Sequence, residues 1–514
     1  MARRRTFRNP ILPGFYPDPS ICRVGRDFYL VTSSFEYFPG IPIFHSRDLV
    51  SWQQIGHVLA RPSQLDLGGV PSSGGIYAPT LRHFRGRFFL VTTHVGGGGN
   101  FLVTARRPEG PWSDPVWIDE GGFDPSLFFH GGRVYYSRDG KGRDFEHPTV
   151  EQAELNLATG RRKGRMRVIW AGSGGVWPEG AHLYFLNDRI YLVAAEGGTA
   201  YGHCAVAARS DSPFGPFEPC PRNPVLSQRQ RPRHPIQATG HVDLVTLDDG
   251  GIWAVFLGVR PRSGRHHHLG RETFLAPVRF SDDGWPILGN EGRVELTMSA
   301  PPLLPQPFVS VPPRDDFDSK GLGLIWVHVR NPPQGAVTLA ERPGYLRLWG
   351  QSAALDDVGP LSFVGRRQQH FRVSCATRLD FSPQQPGEEA GLTVRAREDF
   401  HLDLAVRLGR AGREVVALRR TGAAARVLGR APLPPGPVRL CIHAEDNQYQ
   451  MLVGAGRARI LLGSVPARAL SAETITLRGP MHFCGTVIGM YATGRGHPCG
   501  SPADFDWFDY RPSP

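Results

Sequence analysis

The stretch GRDFYLVT (Gly25–Thr32) joins a turn to a strand rich in aromatic and β-branched residues, and the chain repeats this unit four more times. The other copies are GRFFLVTT, GRVYYS, DRIYLVAA and GGIWAVFL, and the first strand residues of the five units are Phe28, Phe88, Val134, Ile190 and Ile252. Successive units lie 46 to 62 residues apart. Repeats of this length, each with room for several short strands, are typical of propeller blades. The sequence therefore predicts an all-β fold that begins with a five-bladed β-propeller.

The chain of 514 residues is long enough for two domains. Between Ala300 and Pro313 six of the fourteen residues are proline, which indicates a stiff linker. Beyond it apolar residues alternate with polar ones, as in FRVSCATRLDF (Phe371–Phe381), and this period of two predicts an antiparallel β-sandwich of the concanavalin or jelly-roll type. We expect the propeller over residues 1–305 and the sandwich over 306–514.

Charge and cysteine content narrow the class of protein. The formal net charge is +12, but the arginines are scattered and no basic stripe alternates with aromatic residues, so we expect no nucleic-acid partner. The seven cysteines show no C-x-x-C spacing, which favours reduced, buried thiols over disulfides or a zinc site. No run of 18 apolar residues is present, so we expect no membrane partner either. The sequence leaves the oligomeric state open, and a homo-oligomer is compatible with it.

The amino-terminal segment MARRRTFRNPILPG carries basic residues without a following apolar run. Such a segment is unlike a secretory signal peptide. The sequence therefore predicts a cytoplasmic protein.

In four of the five repeats an ionisable residue occupies the equivalent position before the strand. Ten or eleven residues before the aligned strand residues stand Asp18, Ala78, Asp124, Glu179 and His241. Because the inner strand of every blade runs along the central axis, equivalent positions should face one shared space. A lone Asp-Pro can simply start a turn, as at Asp114, but three carboxylates in one register favour a common site.

Two alternatives follow from converging carboxylates. One is a hard cation such as calcium, which prefers oxygen ligands. The other is acid and base catalysis, favoured by the apolar GAHLYF after Glu179, which would raise the pKa of that carboxyl and keep it protonated. Aromatic residues that could stack on sugars flank the carboxylates and point to glycoside hydrolysis, namely Phe15, Tyr16, Phe35, Tyr77 and Phe123. An axial funnel favours the carboxylate separation of about 6.5 to 9.5 Å found in inverting enzymes.

Longer motifs carry a more specific resemblance. In chain order they are NPILPGFYPDPSI, SSFEYFPGIPIFHSRDLVSW, SGGIYAP, GGFDPSLF, PEGAHLY, AEGGT and LGRET. Over residues from about 9 to 300 the chain resembles glycoside hydrolase family 43, in its β-xylosidase and α-L-arabinofuranosidase branch, and the C-terminal region is similar to the β-sandwich of that branch. The resemblance implies a five-bladed propeller, inversion of configuration and no required cofactor. It further implies Asp18 as general base, Glu179 as general acid, and Asp124 as the carboxylate that orients Glu179 and raises its pKa.

The resemblance also implies residues that bind the sugar. The aromatic walls would be Phe35, Tyr77 and Phe123, with Ala78 and Thr199 beside the sugar and Arg271 on its hydroxyls. His241 would lie at the base of the funnel, near a structural calcium ion or a water cluster. A surface arginine and a core histidine are the plainer alternatives for the last two residues.

Two positions depart from the family pattern and bear on specificity. Tyr77 stands where the branch commonly has Trp, which reshapes the sugar platform. In the loop HFCGTVIGMYATG the residue matching an inserted phenylalanine of relatives is expected to be Val487.

The leading hypothesis is an exo-acting β-xylosidase that releases xylose from the non-reducing ends of β-1,4-xylo-oligosaccharides. The alternatives are an α-L-arabinofuranosidase, one site with both activities, or a non-catalytic sugar-binding propeller.

Overall fold

The computed structural model describes residues 5–140, 148–455 and 458–513. The regular secondary structure of these residues is almost entirely strand, with one 3₁₀ helix (Ala467–Leu470) and one short α-helix, α1 (Ala472–Thr476). The predicted all-β fold class is confirmed. The ends of the two predicted domains, residues 1–4 and 514, lie outside the described residues. Among the described residues, no helix has both the length and the apolar composition needed to cross a membrane.

The first 300 residues form short strands that glycine and proline turns interrupt. They are Thr6–Arg8 (β1), Ser20–Val24 (β2), Asp27–Val31 (β3), Tyr37–Phe38 (β4), Gly40–Ser46 (β5), Gln53–Leu59 (β6), Gly75–Ile76 (β7), Thr80–Phe84 (β8), Arg87–Val95 (β9), Gly99–Ala105 (β10), Val116–Asp119 (β11), Ser126–His130 (β12), Arg133–Gly140 (β13), Thr149–Leu155 (β14), Arg162–Trp170 (β15), Glu179–Leu186 (β16), Arg189–Glu196 (β17), Cys204–Ser210 (β18), Glu218–Pro219 (β19), Leu226–Ser227 (β20), Gln237–Thr246 (β21), Ile252–Val259 (β22), Glu272–Phe280 (β23), Pro286–Leu288 (β24) and Thr297–Ser299 (β25). The five repeated units form β3, β9, β13, β17 and β22.

Five antiparallel sheets follow one another along this part of the chain. They contain β2-β3-β5-β6, β7 to β11, β12 to β15, β16 to β20, and β21 to β24. The inner strands of these sheets contact one another in a closed ring, in the order β2, β8, β12, β16, β21 and back to β2. β1 pairs with β25, which joins the start of the region to its end. The inner strands are therefore the elements that surround a common centre.

Side chains from all five inner strands meet in one hydrogen-bond network, which we call the axial network. Arg82 donates to both carboxylate oxygens of Asp243 at 2.8 and 3.1 Å, and to Nδ1 of His182 at 3.1 Å. Ser20 donates to Asp243 at 2.6 Å, and Ser126 lies 2.9 Å from Nδ1 of His182. A largely buried guanidinium thus links the five sheets at their centre.

The C-terminal region contains two further antiparallel sheets. Its strands are Arg314–Asp315 (β26), His328–Val329 (β27), Val337–Thr338 (β28), Leu346–Trp349 (β29), Ser362–Arg367 (β30), Val373–Asp380 (β31), Glu389–Arg397 (β32), Phe400–Gly409 (β33), Gly412–Thr421 (β34), Ala425–Pro432 (β35), Val438–Glu445 (β36), Gln448–Ala455 (β37), Ala458–Pro466 (β38), Val487–Thr493 (β39) and Pro502–Pro512 (β40). One sheet has the order β28-β29-β40-β31-β36-β37-β38, with β26 beside β40, and the other the order β30-β39-β32-β33-β34-β35.

One apolar core lies between these two sheets. Alternate residues of β31 and its end, Val373, Cys375, Leu379 and Phe381, are buried in it together with Leu392 of the other sheet. The period of two seen in the sequence is therefore the inward face of β31. β27 pairs with β4, so the two halves of the chain also share strand hydrogen bonds.

Candidate active site

A cavity of about 230 Å³ opens at the ring of inner strands. All ten residues predicted from the sequence line it, namely Asp18, Phe35, Tyr77, Ala78, Phe123, Asp124, Glu179, Thr199, His241 and Arg271. The three carboxylates share this single space although they are far apart in the chain. Each lies within two residues of the start of an inner strand, so the repeat register brings them together.

The backbone at these positions repeats as well. Asp18, Asp124 and His241 have φ values of 54°, 51° and 53°, and Gly180 follows Glu179 with a φ of 58°. This left-handed region is costly for residues other than glycine and is concentrated at functional sites. The equivalent conformation turns side chains from different sheets toward the same cavity.

Asp18 is held by two neighbours. Ser33 donates to its Oδ2 at 2.6 Å, and Arg271 donates to Oδ1 at 2.9 Å and to Oδ2 at 3.3 Å. Arg271 also donates to the hydroxyl of Thr199 at 2.9 Å. Arg271 is only 7% exposed, so it is a buried part of the site and the surface alternative does not apply. Its two-pronged contact fixes the orientation of the carboxylate.

Asp124 and Glu179 are largely buried and lie among negative charges. Burial and the nearby charge of Glu179 raise the pKa of Asp124 well above its ordinary value. Burial likewise raises the pKa of Glu179, and the charges of Asp139 and Asp18 add to that increase. A buried pair of this kind retains a proton at a pH where an exposed carboxyl would lose it, which suits a general acid.

Aromatic rings form one wall of the cavity. The ring centroids of Phe35 and Tyr77 lie 5.1 Å apart, and those of Tyr77 and Phe123 lie 6.2 Å apart. Phe483, from the C-terminal region, stacks on Phe35 at 5.8 Å and contacts Tyr77 edge-on at 5.8 Å. The guanidinium of Arg271 lies 5.5 Å from the centroid of Phe483. The wall is continuous across both halves of the chain.

Several lining residues were not predicted from the sequence: Trp177, Gly198, His203, Leu257, Met481 and Phe483. The expectation that Val487 is the inserted residue at the pocket mouth is wrong. Val487 opens β39, lies between β30 and β32, and is fully buried. Phe483, four residues earlier in the same quoted loop, reaches the cavity because it precedes the strand.

The surroundings of His241 do not fit a calcium ion. Its Nδ1 lies 4.0 Å from Oδ2 of Asp124, and burial lowers the pKa of the imidazole, which favours its neutral form. Both oxygens of the nearby Asp243 are taken by Arg82. Within the described part of the chain no three His, Cys, Asp or Glu side chains form a group that could hold a metal. Calcium prefers six to eight oxygen ligands, and a guanidinium supplies the positive charge of the axial network.

Comparison with known proteins gives the family. The model of Glycosyl hydrolases family 43 matches residues 7–286, more than half of the chain. This chain belongs to glycosyl hydrolase family 43. The C-terminal region of this family 43 enzyme, residues 314–511, matches the model of the beta xylosidase C-terminal concanavalin A-like domain.

Relatives of this family 43 enzyme include both xylosidases and arabinofuranosidases. It is 46% identical to the non-reducing end alpha-L-arabinofuranosidase BoGH43B of Bacteroides ovatus, over 99% of this chain and 95% of that protein. It is 37% identical to a xylosidase/arabinosidase of Butyrivibrio fibrisolvens, over 97% and 98% of the two chains. The solved structure of xylan beta-1,4-xylosidase from Bacillus halodurans superposes with a TM-score of 0.94 at 35% identity, over 98% of this chain and 100% of that one. The enzyme is a glycoside hydrolase of the xylosidase and arabinofuranosidase group.

Proposed function

We propose that this enzyme is an inverting, exo-acting glycosidase that releases a single terminal pentose. The observation that carries the proposal is the meeting of Asp18, Asp124 and Glu179 in one small cavity with an aromatic wall. A sugar ring packed on that wall would present its anomeric carbon to carboxylates from three different sheets. Binding alone would not need buried carboxyls with raised pKa values, which argues against a non-catalytic sugar-binding protein.

Each carboxylate has a proposed step. Asp18, oriented by Ser33 and Arg271, takes a proton from water as that water attacks the anomeric carbon. Glu179 gives its proton to the glycosidic oxygen as the bond to the leaving group breaks. Asp124 lies close enough to Glu179 that the charge of one carboxyl disfavours ionisation of the other, so the pair keeps a proton for this transfer. One attack by water without a covalent intermediate inverts the anomeric configuration.

We also propose that the closed ring of five sheets is a five-bladed propeller, and that the boundary between the two domains lies near residue 305. The inner-strand contacts and the axial network support the propeller. Phe483 and Met481 of the C-terminal region narrow the cavity, which supports an exo-acting enzyme that admits only a chain end. The cytoplasmic location remains a proposal.

The released sugar is either xylose or arabinofuranose. The sequence-based prediction is xylose from β-1,4-xylo-oligosaccharides. Two observations favour α-L-arabinofuranosides as the better of two substrates: the 46% identity to an arabinofuranosidase over 99% of this chain, and Tyr77 in place of a larger platform. We propose that one site cleaves both pentosides and prefers the arabinofuranoside.

The test is a product time course by NMR together with paired kinetics on the nitrophenyl β-xyloside and α-L-arabinofuranoside. Inversion predicts α-xylose as the first product of a β-xyloside. Asp18→Ala should abolish turnover of every substrate. Glu179→Ala should spare the nitrophenyl glycosides far more than xylobiose, because an acidic phenol needs little protonation. A first product with retained configuration, or equal losses on both kinds of leaving group, contradicts the assigned mechanism.

A further inference from the structure

The rim of the cavity carries an exposed tryptophan. Trp177 lines the cavity, is 49% exposed, and precedes Glu179 by two residues. Its φ of 51° lies in the left-handed region, which is unfavourable for so bulky a residue. An exposed indole in a costly backbone conformation at the rim of the catalytic cavity indicates a functional role for that ring.

A buried carboxylate holds the loop that presents this ring. Glu196 is 2% exposed and accepts hydrogen bonds from the backbone N–H of Ser173 at 2.6 Å, from its hydroxyl at 2.9 Å, and from the N–H of Gly175 at 3.0 Å. The N–H of Gly197 donates to the carbonyl of Val176 at 2.7 Å. The loop is held at Ser173, Gly175 and Val176, so the backbone that leads into Trp177 is fixed.

The indole is also supported from beneath. A Cβ added to Gly198 would lie 2.8 Å from Cε3 of Trp177, so only a glycine lets the ring pack this closely against the backbone. The rest of the ring remains open to solvent beside the cavity. Met481, which is 41% exposed, adds a second apolar group to the rim from the C-terminal region.

We propose that Trp177 is the stacking platform for the first sugar of the leaving group. The inference rests on the proposed function, because the acid must reach the glycosidic oxygen and the leaving group must therefore lie next to Glu179. Trp177 is the exposed aromatic ring on the same segment. The apolar face of a pyranose ring packs well on an indole, and a fixed ring loses little conformational entropy when the sugar binds.

The experiment measures binding, so that it does not depend on turnover. In a Glu179→Gln background, calorimetry compares two ligands with their free terminal pentoses: xylobiose with xylose, and an arabinofuranosyl-xylobiose with arabinose. Trp177→Ala should lower the affinity for the oligosaccharides by about tenfold and leave the affinity for the monosaccharides unchanged, because only the oligosaccharides reach the platform. Trp177→Phe should retain most of the affinity.

Trp117 provides a matched control. It is 47% exposed, lies in β11 outside the cavity lining, and its replacement by Ala should leave all affinities unchanged. Any of three results overturns the platform. The affinity for the oligosaccharides is unchanged in Trp177→Ala, the affinity for the monosaccharides falls by the same factor, or the background variant does not bind the oligosaccharides. Failure of the wild-type enzyme to hydrolyse either oligosaccharide would instead overturn the proposed function, and the two failures are read from separate measurements.

Discussion

At the scale of single residues, Asp139 is the carboxylate outside the cavity lining that matters most for the proton on Glu179. It lies in β13, is buried, and accepts a hydrogen bond from the backbone N–H of Phe123. Its negative charge raises the pKa of Glu179 beyond the effect of burial. The proposed acid is thus adjusted by a neighbour that also holds one of the aromatic walls.

Asp139→Asn should move the alkaline limb of the kcat/KM profile to lower pH. Activity requires protonated Glu179, so it is lost as pH rises through the pKa of that group in the free enzyme. Removing a negative charge favours ionisation, lowers that pKa and shifts the limb by about one pH unit. The asparagine oxygen can still accept from Phe123. Asp248→Asn, at an exposed site, is the control. A limb that stays in place or moves to higher pH contradicts this role.

The sequence predicted the site residues that occupy equivalent positions in the repeats. It missed residues that come close to the site only when the chain folds. Asp18, Asp124 and Glu179 could be found by counting back from the repeated strands. Asp139 lies near the far end of a second strand, and the equivalent positions of the other repeats carry no carboxylate: Ser33, Thr93, Ala195 and Leu257. Its effect depends on burial, which a residue count does not supply.

At the scale of elements, the loop that carries Phe483 is fixed through Ser73. The Ser73 hydroxyl accepts from the N–H of Phe483 at 3.0 Å, and its carbonyl accepts from the Tyr77 hydroxyl at 3.0 Å. The N–H of Ser73 donates to buried Glu36 at 3.0 Å. One residue therefore positions two rings of the aromatic wall.

Ser73→Ala should raise KM about fivefold with a smaller effect on kcat, because a lost hydrogen bond of about 1 kcal/mol frees Phe483 from its position. The reacting carboxylates are untouched, which is why the two constants should separate. Ser63→Ala, at an exposed serine, is the control. Steady-state kinetics and a melting curve together distinguish a positioning role of Ser73 from a merely structural one. Unchanged KM, or a KM effect that vanishes at a temperature where both variants are fully folded, would show that Ser73 is only structural.

This loop also shows that sequence comparison can locate a segment near the site without identifying which of its residues reaches the cavity. The quoted motif located the segment that reaches the cavity but assigned the contact to Val487. The pairing of β39 with strands on both sides buries Val487, and that pairing involves residues more than 90 positions earlier in the chain. Which residue of a loop points at a site depends on where the following strand begins.

At the scale of the whole molecule, the axial network is the feature that closes the ring of sheets. Arg82→Met should destabilise the protein by about 3 to 5 kcal/mol, because it leaves the fully buried Asp243 without its cationic partner. The double variant with Asp243→Asn should recover part of that loss. Urea unfolding and the melting temperature measure both. Arg222→Met, in an exposed ion pair, is the control and should change little. A small effect at Arg82 equal to that of the control contradicts a closing role.

The same network predicts how the protein responds to metal ions. A guanidinium already supplies the central positive charge, so neither calcium chloride nor EDTA should shift the melting temperature of the wild-type protein. A rise of several degrees with calcium would show that a cation site exists that the described residues do not reveal. The sequence could suggest a calcium ion by family resemblance, but only the structure shows that Arg82 reaches Asp243.

The aromatic wall shared by both halves of the chain has a consequence for biosynthesis. Phe35 and Tyr77 emerge from the ribosome about 400 residues before Phe483. A nascent polypeptide can assemble its carboxylates long before it can seal the pocket around them. The enzyme should therefore acquire a complete substrate site only after the segment that carries Phe483 has been synthesised and has folded against the first half of the chain.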